Sequence, residues 1–169
     1  MQTPERIAVI GISGSGKSTF ARALAERSGL PLLHSDRLEW MPGWRERPPE
    51  ELAAMHCAWL AEPRWIIEGW IETDRAERLR AADLVIDLDL SRWRCAWRVA
   101  RRMLARRRRD EMPENCVDRW RFRTLAVALL KLERPSIDAA LAAARPKHYV
   151  RLRRSRSVRE FLAWSDKLN

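Results

Sequence analysis

The chain of 169 residues carries a formal net charge of +10 at pH 7, and 46% of its residues are hydrophobic. This length favours one domain with a sizeable core and excludes two domains of ordinary size. No apolar run approaches the roughly 18 residues of a membrane span, and residues 1–6 lack the apolar segment of a signal peptide, so we expect a cytoplasmic protein with no membrane partner.

The 33 Lys and Arg residues outnumber the 23 Asp and Glu residues, and nearly all of the basic side chains are arginine. The planar guanidinium pairs with phosphate through two hydrogen bonds, whereas lysine acts as a point charge. Such a surface attracts polyanions. It leaves open whether the partner is a nucleotide, a nucleic acid or the counterions of the solvent.

The first pattern in chain order is an apolar strand at residues 5–10, followed by a glycine-rich loop and a helix at residues 17–28. The loop fits G-x-x-x-x-G-K-[ST], and strand, loop and helix are the context that a phosphate-binding loop requires. Lys17 is expected to reach the β and γ phosphates of ATP, and the Ser18 hydroxyl to bind Mg²⁺. The predicted ATP-binding residues are Gly11, Ser13, Gly14, Ser15, Gly16, Lys17, Ser18 and Thr19.

Residues 31–36 predict a short second strand that delivers His34 and Asp36 at its carboxyl end. Ligands bind at that edge of an open parallel sheet. Asp36 is therefore a candidate for the catalytic acid that orients or deprotonates the hydroxyl of a phosphoryl acceptor. The alternative is that Asp36 caps a helix beginning near Arg37.

Residues 37–62 are the predicted acceptor-binding region. They begin with a loop rich in Pro and Gly that carries Trp40 and Trp44. These indoles are expensive to leave exposed, so they either pack on the domain or stack on a substrate. The helix predicted at residues 49–61 has an apolar face that indicates core packing, formed by Leu52, Met55, Trp59 and Leu60.

A third, fully buried strand is predicted at residues 65–69, and it ends in Glu68. An acid at this position can hold the water shell of a magnesium ion opposite Ser18. Asp87 and Asp89, in the next predicted strand, are the rivals of Glu68 for that role.

A charged helix at residues 72–82 and a fourth strand at residues 84–90 precede a long basic helix at residues 91–109. On that helix Arg98 and Arg102 are four residues apart, so they share a face. Arginines beside the strand ends can stabilise a phosphoryl group in transfer. The alternative is a solvated or nucleic-acid-binding face.

Residues 106–118 combine charge and turn residues without apolar periodicity, which predicts a lid that closes over an active site. Helices at residues 117–133 and 135–144, a strand at residues 148–152 and a final helix opened by a capping box at residues 157–160 complete the chain. Strands alternate with helices throughout, which predicts an α/β fold with a parallel sheet covered on both faces.

Several segments together carry a resemblance to a known family. They are the phosphate-binding loop, His34 and Asp36, Pro42-Gly43-Trp44, the strand at residues 65–69, Arg78 ahead of Ala82-Asp83, and the Arg-rich segment that runs into Met112 to Cys116. In these the chain resembles, over nearly its whole length, the bacterial topology modulation protein family of adenylate kinase-like P-loop proteins. More distantly it resembles the nucleoside monophosphate and shikimate-type kinases.

The resemblance implies a P-loop NTPase three-layer sandwich. Its five-stranded parallel sheet has the order 2-3-1-4-5, with an acceptor-binding region after strand two and a lid after strand four. Glu68-Gly69 matches the Asp-Gly that ends strand three, and Arg98 and Arg102 match the arginine pair that leads into the lid. Asp36 matches the acceptor-side acid of the shikimate-type kinases. The chain departs from the family in Trp70-Ile71, where Asn-Tyr is usual.

The sequence therefore predicts an ATP- and Mg²⁺-dependent kinase whose acceptor is a nucleoside, a nucleotide or a small hydroxylated metabolite. Its predicted catalytic residues are Lys17, Asp36, Arg98 and Arg102, and its predicted acceptor-binding residues are Asp36, Trp40, Trp44 and Arg78. The alternative is a basic ATP-binding protein that binds nucleic acid in relation to DNA topology, with weak or no kinase activity.

Overall fold

Five parallel strands form the centre of the computed structural model, which describes residues 3–69, 75–105, 112–116, 122–130 and 132–165. In chain order the elements are β1 (Arg6–Gly11), α1 (Lys17–Ser28), β2 (Leu32–His34), α2 (Ser35–Glu39), β3 (Trp40–Met41), β4 (Arg45–Glu46), α3 (Pro49–Ala61), β5 (Trp65–Glu68), α4 (Arg75–Ala81), β6 (Leu84–Leu88), α5 (Arg92–Ala105), α6 (Phe122–Leu130), α7 (Arg134–Ala144), β7 (Tyr149–Leu152) and α8 (Ser155–Ser165). None of the helices within these ranges combines the length and the apolar character needed to cross a membrane.

The main sheet has the strand order β2-β5-β1-β6-β7. All of its neighbouring strands run parallel, and β1 lies at the centre between β5 and β6. Counted in chain order, its five strands follow the order 2-3-1-4-5, so the predicted sheet is confirmed. Strands β3 and β4 form a separate antiparallel hairpin.

Helices cover both faces of the sheet, as predicted. On β1 the side chains of Ile7 and Val9 pack on one face with α1 and α8, while Ala8 and Ile10 pack on the other face. That second face carries α3, α4, α5, α6 and α7. A strand buried on both sides needs an apolar run, which β1 has at residues 7–10, β5 at residues 65–67 and β6 at residues 84–86.

The segment after β2 is more regular than the predicted loop. Helix α2 begins at Ser35 with His34 in the N-cap position, so Asp36 lies inside the first turn and does not cap the helix. Across the hairpin the indoles of Trp40 and Trp44 pack edge to face, with ring centroids 5.3 Å apart.

The described part of the predicted lid, residues 112–116, packs against this hairpin. The amide of Gly43 donates a hydrogen bond to Glu114 O at 3.2 Å. The amide of Trp44 donates to Cys116 Sγ at 3.4 Å. The remainder of the predicted lid lies outside the described residues.

The helix predicted at residues 117–133 is wrong at its carboxyl end, because α6 ends at Leu130 and a new helix begins at Arg134. Leu132, expected to point inward, is 56% exposed. Pro135 explains the break, since proline is favoured in the first turn of a helix and not in its interior.

A buried ionic network ties β6, β7 and α7 together. Arg134 Nη1 donates to Asp87 Oδ2 at 2.7 Å, and the Tyr149 hydroxyl donates to the same oxygen at 2.8 Å. Arg134 also pairs with Asp138. Burial lowers the pKa of Arg134, but its hydrogen bonds to Asp138 and Asp87 outweigh burial and raise the pKa above the ordinary value. Burial and the bond to Asp87 raise the pKa of Tyr149 to about 12.

We expect Asp87→Ala to lower the free energy of unfolding by about 3–5 kcal/mol, because it removes the fully buried carboxylate that pairs with Arg134 and leaves only the half-exposed Asp138. The measurement is the urea denaturation of both proteins. As a matched control, Glu160→Ala breaks the solvent-exposed pair that Glu160 forms with Arg156, and it should cost no more than about 0.5 kcal/mol. Similar losses in the two variants would contradict a structural role for the buried network.

Candidate functional site

A cavity of 780 Å³ opens where β1, β2 and β5 end, and helices α5, α6 and α7 close its far side. Its described lining comprises the loop residues Ser13, Gly14, Gly16, Lys17, Ser18 and Thr19, the acidic edge Asp36, Glu39, Glu68 and Gly69, the arginines Arg98 and Arg102, and the wall Ala126, Val127, Leu132, Glu133 and Ser136. Every predicted ATP-binding residue except Gly11 and Ser15 is in this lining. Ser15 is buried, and a Cβ added at Gly11 would lie 2.7 Å from Leu88 O and 3.0 Å from Ser15 Oγ.

The loop packs directly against α5. Gly14 has a φ of +79°, and a Cβ added there would lie 2.4 Å from Cys95 O. Gly43 has a similar φ of +77° but no heavy atom within 4 Å of the corresponding position. Gly14 is therefore required by its left-handed backbone and also by the close approach of α5.

Cationic groups gather at the loop. Lys17 Nζ donates to Ile12 O at 3.1 Å, and Arg98 Nη1 donates to Ser15 O at 3.0 Å. Arg102 lines the cavity one helical turn further along α5. Arg94, although four residues before Arg98, instead donates to Ser155 Oγ at the start of α8. The structure thus brings Arg98 to the loop and Arg102 to the same cavity, where they add positive charge on the side of the α1 N-terminus.

Glu68 reaches the cavity from the end of β5 and is 2% exposed. Its Oε1 lies 3.0 Å from His34 Nδ1, at the end of the neighbouring strand β2. Within the described residues its buried Oε2 has no hydrogen-bond partner. A buried carboxylate oxygen is costly without a donor or cation, so Glu68 together with Ser18 fits the water shell of a magnesium ion.

No cluster of three His, Cys, Asp or Glu side chains with metal-binding geometry occurs in the described ranges. His34 is the partner of Glu68 that the sequence left without a role. The pairing of His34 with Glu68 was predictable from the sequence, because β2 and β5 are neighbours in the predicted sheet order and each residue ends its strand.

Asp87 and Asp89, the two alternatives to Glu68 as the acid that holds the magnesium waters, lie elsewhere. Asp87 is held in the ionic network of β6, β7 and α7. Asp89 accepts a hydrogen bond from Arg151 Nη2 at 2.8 Å. Neither appears among the described lining residues, so of these three acids it is Glu68 that lines the cavity together with Ser18.

Asp36 lies in the cavity as predicted, but Trp40, Trp44 and Arg78 are not among its described lining residues. Arg78 is buried, and its guanidinium donates to Ser35 Oγ at 3.0 Å and to Gly69 O at 2.9 Å. Its long side chain supports the backbone below the cavity instead of contacting a ligand in it. The two indoles pack against each other in the hairpin.

Glu133 is the residue of this site that the sequence analysis missed. Its Oε2 accepts a hydrogen bond of 2.6 Å from the backbone amide of Ser13 in the loop. The prediction had placed Glu133 at the end of a continuous helix. Pro135 already marked the start of the next helix, but the bond from Ser13 to Glu133 spans 120 residues and has no local signal.

Neither a protein-family model nor a curated protein matches the chain in sequence. Solved structures do match its fold. Shikimate kinase from Acinetobacter baumannii, in complex with shikimate, has a TM-score of 0.58 at 18% identity over 96% of this chain and 91% of its own. A gluconokinase from Sinorhizobium meliloti has a TM-score of 0.51 at 20% identity, over 99% of this chain and 93% of its own. A sugar kinase from a Janibacter species has a TM-score of 0.50 at 19% identity, over 98% and 91% respectively.

At these identities the likeness establishes the fold alone. The chain has the fold of the P-loop kinases, as the sequence predicted. The closer resemblance to the topology modulation proteins stays a prediction.

The packing of the loop on α5 predicts different costs for two alanine substitutions. Gly43→Ala should lower the free energy of unfolding by about 1–2 kcal/mol, the cost of a left-handed backbone for an L-residue. Gly14→Ala carries the same backbone cost and in addition displaces α5 or the loop, so its loss in urea denaturation should clearly exceed that of Gly43→Ala. Equal losses would contradict the close contact between Gly14 and Cys95.

Proposed function

We propose that the chain is an ATP-dependent phosphotransferase, a kinase that transfers the γ-phosphoryl group of ATP to a small acceptor. The observation that carries the proposal is the convergence of the loop, Arg98, Arg102 and the carboxylates of Asp36 and Glu68 on one cavity. A phosphate-binding loop alone would also suit an ATPase. An acid within a roomy cavity, facing the same loop, is what a phosphoryl acceptor additionally requires.

The phosphate end of this site is built from residues 13–19. The loop amides and the N-terminus of α1 bind phosphate oxygens, and Lys17 reaches the β and γ phosphates. Arg98 and Arg102 stabilise the charge on the transferring group. Arg98 is already held against the loop by its bond to Ser15 O, so its ordering costs little at the moment of reaction.

Magnesium is the cofactor that fits the remaining residues. Ser18 binds the ion, and the buried Oε2 of Glu68, which lacks a donor within the described chain, binds its waters. When bound, the ion would neutralise negative charge on the phosphates. His34 contacts the other oxygen of Glu68. Such a contact orients the carboxylate, as hydrogen-bond partners of metal ligands commonly do.

The acceptor end lies between α2 and the wall of α6 and α7. Asp36 orients the acceptor hydroxyl, whose oxygen bonds to the γ-phosphorus as the bond from that phosphorus to the β-γ bridging oxygen breaks. The hydroxyl proton passes to Asp36, and ADP leaves with the bridging oxygen. The kinases that share this fold are named for shikimate, gluconate and sugars, which supports a hydroxylated metabolite as acceptor. Residues 37–62 and 106–118 are the proposed acceptor-binding region and lid.

A second candidate function, binding of nucleic acid, is supported by the outer face of α5. Trp93 and Trp97 are 65% and 58% exposed. Arg92 lies over the Trp93 ring at 5.2 Å, and Arg101 over the Trp97 ring at 5.4 Å. Exposed aromatic rings beside arginines bind single-stranded nucleic acid by stacking and phosphate pairing.

The deciding experiment for the kinase follows ADP release from ATP and Mg²⁺ with a panel of nucleosides, nucleoside monophosphates and hydroxylated metabolites. We expect one class of acceptor to raise ADP release above the background hydrolysis, and Lys17→Ala to abolish that increase. Lys147→Ala removes an exposed lysine and should leave it unchanged. Transfer that survives Lys17→Ala, or no response to any acceptor, would count against the proposal.

Two neighbouring arginines on α5 separate the candidate functions. Arg98→Ala should lower kcat by about 10³-fold or more, since an arginine at the transferring phosphoryl group contributes that much. Arg101→Ala removes the same charge from the outer face and should leave kcat intact while weakening binding of labelled single-stranded DNA at low salt. If Arg101→Ala leaves DNA affinity unchanged, the second function is not supported. If Arg98→Ala leaves kcat unchanged, Arg98 is not at the transferring group.

A further inference from the structure

The carboxylate of Glu133 occupies a hydrogen-bond donor of the phosphate-binding loop. Glu133 Oε2 accepts from Ser13 N at 2.6 Å, and both residues line the cavity. In chemical terms this carboxylate oxygen stands where a phosphate oxygen would bind. Hydrogen bonds to an ionised acceptor are about twice as strong as neutral ones, so the contact competes with any incoming anion.

The backbone at Glu133 is fixed, which makes the contact a built feature of the fold. Glu133 is the N-cap residue of α7. The next residue, Arg134, is anchored to Asp87 and Asp138, and Ile137 on the following turn is fully buried. The side chain of Glu133 can therefore leave Ser13 by rotating, without movement of its helix.

A carboxylate and a phosphate cannot share the Ser13 amide. The loop cradles phosphates with its backbone amides, and one N–H donates to one strong acceptor at a time. Two anions at this distance also repel each other in a partly buried cavity. Binding of an anion at this amide must therefore displace the Glu133 carboxylate from Ser13.

We propose that Glu133 is a specificity-determining residue. Its carboxylate prevents simple anions from binding the loop and is displaced only by a polyphosphate chain. The inference rests on the proposed function, because it assigns Glu133 to the same nucleotide site. A single anion, such as inorganic phosphate, gains too few contacts to displace the carboxylate. The phosphates of ATP or ADP gain the loop amides, Lys17 and Arg98 together, so they displace it.

The test measures binding of ADP, ATP and inorganic phosphate by titration calorimetry. We expect Glu133→Gln to bind both nucleotides about tenfold more tightly, equivalent to about 1.4 kcal/mol, and to bind inorganic phosphate at concentrations at which the wild type does not. Glu160→Gln makes the same acid-to-amide change on the exposed surface of α8 and should match the wild type. This control removes the contribution of net charge.

A second variant and a second readout guard against a folding defect. Glu133→Asp keeps the charge but shortens the side chain by one methylene, so it should lose the bond to Ser13 and also bind nucleotide more tightly. In the free protein, the Ser13 amide proton resonance should move upfield in both variants, as expected when a charge-assisted hydrogen bond is lost. An unchanged Ser13 resonance would overturn the inference.

The outcomes separate the inference from the proposed function. If the wild type binds nucleotide and Glu133→Gln binds it no more tightly, Glu133 is not a competitor, and the nucleotide site still stands. If neither protein binds nucleotide, the proposed function fails and the inference fails with it. If only Glu133→Gln binds nucleotide, a polyphosphate chain does not displace the wild-type carboxylate, and the proposed discrimination between simple anions and nucleotides is overturned.

Discussion

The contact between the phosphate-binding loop and helix α5 is the constraint on which the rest of this site depends. At Gly14 the loop approaches Cys95 O so closely that no side chain fits between them, and Arg98 closes the same contact from the other direction by donating to Ser15 O. The loop therefore has one available shape, which is the condition for electrostatic stabilisation without reorganisation. The sheet supports this arrangement. Strand β1 leads into the loop, β6 leads into α5, and the two strands are neighbours in the sheet.

The opposite wall of the cavity depends on a different interaction. Arg134 is buried between β6 and α7 and joins Asp87, Asp138 and, through Asp87, Tyr149. An ion pair of this kind adds little net stability, yet it fixes one arrangement of its partners. Its role here is to fix the register of α7, and with it the position of Glu133 opposite the loop. The loop and its competing carboxylate are thus held by separate elements of the same sheet edge.

The parts of this structure that could be predicted are those specified by residues close together in the sequence. The loop motif, the apolar strands and the strand order followed from local patterns and from the resemblance that they carry. Trp40, Trp44 and Arg78 were predicted to line the acceptor pocket, but none of them is among the described lining residues. The position of Arg78 is set by its bond to Ser35, 43 residues away, which no local pattern reveals. Glu133 was missed for the same reason, since its partner Ser13 lies 120 residues away.

Helix α5 serves two surfaces at once, because Arg98 and Arg102 line the cavity while Trp97 and Arg101 lie on the outside. A helix moves as a nearly rigid rod, so a tilt imposed on the outer indoles shifts the inner arginines by a similar distance. A displacement of about 1 Å in a catalytic group can cost about 10²-fold in rate. A ligand that stacks on the outer indoles and tilts α5 therefore acts on the chemistry of the inner face through the helix itself, without entering the cavity.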